Sequence, residues 1–102
     1  MDRIATFQSF IARSPGDPFP RYGLAMELKG HGRTDEAIAE FATLMERFPD
    51  YVPTYLMAGT TYSELGRHAE ARDAFTRGLA AAHKKGDRHA ASELESALAA
   101  LP

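Results

Sequence analysis

Four histidines, fourteen carboxylates and a scatter of hydroxyls are the groups in this chain with the means to do chemistry. A metal site on a helix needs two histidines four residues apart with a third ligand nearby. His31, His68, His83 and His89 lack that spacing, and the first two fall near turns, so all four read as exposed polar residues. Asp35, Glu36, Glu40 and Glu46 belong to the outer face of an amphipathic helix, where carboxylates are simply solvated. Catalytic carboxylates need a pocket that shifts their pKa, and short paired helices enclose little volume. Ser14 and Ser63 have no nucleophile-elbow context. His83, Lys84, Lys85, Arg88 and His89 form a small basic cluster suited to an acidic partner. The simpler account is that cations gather where a helix dipole ends. No pattern places a nucleophile, a base and a metal together, so the expectation is no enzyme activity, no metal and no cofactor.

The elements that position these groups are bounded by composition. Cysteine is absent, which excludes disulfides, thiolate nucleophiles and cysteine-ligated zinc. Twelve Lys and Arg against fourteen Asp and Glu give a formal charge of -2, so no broad positive field draws in nucleic acid or anionic lipid. With 102 residues, 44% hydrophobic and 25% charged, the chain reads as one folded domain. No segment approaches the ~20 apolar residues of a membrane span. Met1 to Arg13 lacks the basic start and unbroken apolar run of a secretory signal, which makes cytoplasm the expected compartment.

The chain repeats itself at an offset of 34. Gly32 recurs as Gly66, Ala37 as Ala71 and Phe41 as Phe75. Leu24, Ala25 and Leu28 fall on Ala58, Gly59 and Tyr62, while Phe7 and Pro15 precede Phe41 and Pro49 by the same interval. Leu24, Ala25 and Leu28 share one stripe of a helix, as do Ala37, Phe41 and Leu44 on the next. Small residues at Ala25, Gly59, Ala37 and Ala71 let backbones approach, and Phe41 and Phe75 fill the space beside them. Gly30, Gly32 and Gly66 supply the positive φ of a tight reversal.

Residues 18–51 and 52–85 thereby resemble two full units of the tetratricopeptide repeat family, preceded by a half-unit at 1–17. The resemblance is to a small, stand-alone member of bacterial type. It implies an all-α fold, an antiparallel helix-pair solenoid coiled into a right-handed superhelix of about six helices. Two departures stand out: Arg21 occupies the usual bulky aromatic position and is expected to be partly exposed, and His83 replaces the closing proline, letting that helix run on to Lys85.

Helices are expected near Asp2 to Arg13, Pro20 to Gly30, Asp35 to Phe48, Pro53 to Leu65, Ala69 to Lys85 and Arg88 to Leu101. Thr34 is the expected cap of the third, Pro20 and Pro53 the first residues of the second and fourth, and Asp87 the cap of the sixth. Extrapolation by 34 puts Ser92, Glu93 and Ser96 in the core triad, which cannot pack. Ala90, Ala91 and Leu94, two residues earlier, can, so residues 86–102 are read as a displaced capping helix. Both ends look closed, the mark of a self-contained domain.

In the family, first helices line a concave binding surface. Phe19, Tyr22, Met26 and Lys29 share the stripe turned that way in the first unit. Leu56, Thr60 and Ser63 follow in the second, with Met57 beside them. The resulting apolar groove suits an apolar side chain or amphipathic helix of a partner protein or peptide. Covering of Phe19, Tyr22 and Met26 within the chain is the competing reading. The family's carboxylate clamp is not expected, since Tyr22, Met26 and Met57 stand where its polar groups would be. A non-enzymatic interaction module or adaptor is therefore the leading function. Structural self-assembly is the alternative, with Phe7, Phe10 and Ile11 packed across a homodimer axis, because two repeats fall below the ~3 a stack usually needs.

Overall fold

A computed structural model describes residues 2–102, and Met1, the first residue of the expected half-unit, lies outside the described residues. Six helices and no strand occur among the described residues: α1 Arg3–Arg13, α2 Pro18–Gly30, α3 Thr34–Arg47, α4 Pro53–Glu64, α5 His68–Lys85 and α6 Arg88–Ala100. They divide into two compact units, one ending at Phe48 and one spanning Pro49–Pro102.

In the first unit α2 packs against both α1 and α3. Its helix starts two residues earlier than the prolines suggested. Pro18 takes the first position and the Asp17 carboxylate accepts from the Phe19 N–H at 3.0 Å, so Pro20 falls in the same first turn, where a missing N–H is also harmless. Leu24, Ala25, Leu28, Ala37, Phe41, Leu44 and Met45 form the buried core. Phe7 of α1 lies against Gly23, where any Cβ would strike the ring. Arg21 is indeed only partly exposed, and its guanidinium meets Glu40 at 2.8 Å; Glu40 is thus paired across α2 and α3 instead of standing on a solvated outer face.

In the second unit α4, α5 and α6 pack pairwise. Gly59 sits under the Phe75 ring and Gly78 under Tyr55, so the small residues do allow close approach. The Tyr55 hydroxyl donates to the Pro49 carbonyl at 2.6 Å. α6 buries Ala91 and Leu94 and exposes Glu93 and Ser96, the displaced register read from sequence. Asp87 caps it by accepting from the Ala90 N–H.

The turns repeat more faithfully than the helices. Gly32 and Gly66 have φ of 76° and 75°, and each closes a helix in the same way: Arg33 N–H reaches the Leu28 carbonyl and Arg67 N–H the Tyr62 carbonyl, both at 2.9 Å. Gly30 has no positive φ; it is the last residue of α2. Thr34 does not cap α3, since it is already helical and the preceding residue is Arg33. The Arg33 guanidinium instead holds Glu36 in the first turn, an arrangement reproduced 34 residues on by Arg67 and Glu70 at 2.7 Å. Hydrogen bonding from Arg33 holds the Glu36 carboxyl below the usual carboxylate range. These pairs are exposed and orient the turn more than they stabilise it.

One buried group is mismatched. Thr54 is fully buried and its hydroxyl has no protein partner among the described residues, whereas the Thr61 hydroxyl donates to the Met57 carbonyl at 2.7 Å. An unsatisfied buried hydroxyl costs about 1–3 kcal/mol, and valine has the same shape and a similar helix propensity. Thr54→Val is therefore expected to raise stability by about 1 kcal/mol, read as a higher midpoint in urea. A lower midpoint would show that the hydroxyl is satisfied.

Candidate functional site

Within the first unit the expected binding residues lie along α2. Phe19 is 62% exposed, and Tyr22, Met26 and Lys29 are half-buried. Phe19 is therefore not covered by its own unit. Phe10 is exposed at 43% with the Arg13 guanidinium 5.0 Å from its ring centroid, while Phe7 and Ile11 are half-buried, Phe7 being turned onto Gly23.

Within the second unit Leu56, Met57, Thr60 and Ser63 are all half-buried along α4. Thr60 and Ser63 come together with Glu64, Phe75, Ala97, Ala100 and Leu101 around a cleft of about 210 Å³. Its walls are the C-terminal halves of α4 and α6, and the Phe75 ring, itself almost wholly buried, contributes to the lining from α5. The geometry follows from local sequence. α6 ends at Ala100 because Leu101 precedes Pro102 and is pushed into an extended conformation, φ -69° and ψ 138°. Ala97 and Ala100 are too small to fill the space opposite Thr60 and Ser63. Ala97 and Leu101 are half-buried, and both line this cleft.

A second cleft of about 250 Å³ lies at the turn between α5 and α6, where His83 and Arg88 of the basic cluster stand with Asp87 and Glu95. Its opposed charges offset one another, and His89 and Lys84 are drawn off to Glu93 and Asp50, at 3.1 and 3.2 Å. This cluster therefore does not form one positive surface.

Little else supplies reactive chemistry. No group of three or more His, Asp or Glu suited to a metal ion occurs among the described residues. Burial pushes the Tyr55 and Tyr62 phenols above their ordinary range. The Tyr62 ring is stacked by the Arg67 guanidinium at 5.0 Å. No helix among the described residues is long and apolar enough to cross a membrane. What the surface offers is a first-helix face in each unit and, in the second, a small mostly apolar cleft, the kind of feature that accepts a side chain. It is smaller than the ~300–1,000 Å³ of pockets that enclose small-molecule ligands.

Comparison with known proteins bears on the fold. The family model described as tetratricopeptide repeat matches residues 28–101. A tetratricopeptide repeat domain protein from Salinibacter ruber, solved by solution NMR, is 40% identical over 82% of this chain and 85% of its own, with a TM-score of 0.79. A crystal structure of a tetratricopeptide repeat domain protein from the same organism is also 40% identical, over 80% of this chain and 91% of that one, with a TM-score of 0.76. The solution structure of a protein from Bordetella parapertussis is 26% identical over 96% of this chain and 85% of that one, with a TM-score of 0.78. No curated protein matches.

Proposed function

Because this chain belongs to the tetratricopeptide repeat family, whose members generally serve as protein-interaction modules, we propose that it is a non-enzymatic adaptor that binds a segment of another protein. The observation that carries the reading is the cleft between the last turns of α4 and α6, open to solvent and lined by Thr60, Ser63, Ala97, Ala100 and Leu101 over Phe75. A partner gains most by burying an apolar side chain there, since each Å² of apolar surface removed from water is worth about 25 cal/mol. The half-buried faces of Leu56 and Met57 on α4, and of Tyr22, Met26 and Lys29 beside exposed Phe19 on α2, extend the surface each unit offers. Aromatic and methionine side chains at such positions adapt to a partner without a fixed polar code.

A randomised decapeptide display library, panned against the purified protein, tests this. Binders are expected to enrich, and a Thr60→Arg variant, whose new side chain fills the cleft, is expected to capture them at least tenfold less well at unchanged helicity. A paired Tyr22→Asp, Met26→Asp variant reports on the α2 face in the same way. No enrichment, or binders retained by both variants, would sink the proposal.

A further inference from the structure

The turn into α6 carries the one arginine that the fold leaves without a partner. Of the nine arginines in the chain, eight meet a carboxylate, a carbonyl or an aromatic ring. Arg88 meets none among the described residues, and Glu95, two turns further along α6, has no ion-pair partner among them either. Both are exposed, and both line the 250 Å³ cleft beside that turn. Arg88 is also the first residue of α6, the helix end where a positive charge is least favoured, and the adjacent Asp87 carboxylate is occupied by the Ala90 N–H.

The cleft has a local cause. His83 stands where the preceding repeat has Pro49, so α5 runs about one turn past the equivalent of the point where α3 stops, and Ala82 and His83 supply the α5 wall. On the α6 side, Arg88, Ala91, Ser92 and Glu95 fall at i, i+3, i+4 and i+7, a single stripe about 10 Å long. Charges of opposite sign stand at its two ends, with small residues between them. Reversed end to end, such a stripe is its own complement. An antiparallel copy sets each Arg88 against a Glu95, and the two-fold axis passes between Ala91 and Ser92, where no bulky side chain holds the helices apart.

The neighbouring charges leave this pattern intact. His89 and Glu93 hold each other at 3.1 Å, and Lys84 is on Asp50 at 3.2 Å. Ala97 and Ala100 of the α4–α6 cleft lie on the opposite flank of α6 by helix phase, so the two sites are separate.

We propose that the partner of this stripe is a second copy of the chain, docked through α6 about a two-fold axis, with Arg88 of each copy paired to Glu95 of the other. A guanidinium grips a carboxylate through two parallel hydrogen bonds, which fixes the register. The stripe is short and mostly polar, which places the contact among weak, reversible dimers.

Analytical ultracentrifugation across a micromolar to millimolar concentration series tests this. The parent is expected to pass from monomer to dimer. Arg88→Glu and Glu95→Arg, each of which sets like charges face to face, are expected to weaken the dimer at least tenfold, and the variant carrying both changes to restore it. An equal mixture of the two single variants is expected to form a heterodimer more tightly than either associates alone. Circular dichroism is expected to be unchanged in all of them, because both side chains are exposed. A parent that stays monomeric throughout, a dimer indifferent to either single reversal, or failure of the double variant or of the mixture to recover it would overturn the proposal.

Discussion

Phe41→Ala is expected to remove about 3–5 kcal/mol of folding stability, the range for deleting a fully buried aromatic ring. Phe41 is completely buried, in the unit whose core also contains Leu24, Ala25, Leu28, Ala37, Leu44 and Met45. A domain of this size holds only about 5–15 kcal/mol in total, so the variant should melt far below its parent or fail to fold at 37 °C. The repeat provides an internal control. Phe7, Phe41 and Phe75 occupy the same register position, but Phe7 is only half-buried. Phe7→Ala is therefore expected to cost clearly less than Phe41→Ala in urea unfolding followed by circular dichroism. The reverse order would mean that the 34-residue register does not describe the packing.

Gly78→Ala is the second large effect, and its sign separates tertiary contact from helix propensity. Alanine in a helix interior is favoured over glycine by about 1 kcal/mol, so propensity alone predicts a more stable α5. A Cβ at Gly78, however, would fall on the Tyr55 Cβ and stand 3.1 Å from Leu94 Cδ2. Tyr55 cannot swing aside freely, because its hydroxyl is tied to the Pro49 carbonyl and it is only 2% exposed. Overpacking of this kind costs about 1–3 kcal/mol, and here it must separate three helices at once. The net expectation is a loss of stability, about 4–8 °C in Tm for each kcal/mol. Gly30→Ala, with nothing within 4 Å of its Cβ and no positive φ, should change Tm upward or not at all. A gain at Gly78 would contradict the close approach of α4, α5 and α6.

These contrasts show how far the sequence could be read. The 34-residue spacing reveals Gly32 and Gly66, Ala37 and Ala71, Phe41 and Phe75, because short-range geometry repeats and each position makes the same local demand. It also reveals the two-residue displacement of α6, since Ala91 and Leu94 can pack where Glu93 and Ser96 cannot. The Arg33–Glu36 and Arg67–Glu70 pairs are legible by the same reasoning, being three residues apart and repeated at 34. Gly78 was not legible: its demand comes from Tyr55 and Leu94, residues on two other helices, and its counterpart one repeat earlier is Leu44. The cleft was legible only in part. Thr60 and Ser63 follow from helix phase, but Ala97, Ala100 and Leu101 join them only because α6 is shifted and stops before Pro102. Arg21 and Glu40 are the same kind of case, a pair across two helices that no single-helix pattern displays.

Binding at the α4–α6 cleft is the claim on which the functional account depends, and chemical-shift mapping tests it most directly. A peptide from the library, titrated into ¹⁵N-labelled protein, is expected to move the amides of Thr60, Ser63, Ala97, Ala100 and Leu101 most. Largest shifts on α1 around Phe10, or at the Gly86 turn, with the cleft amides unmoved, would contradict it.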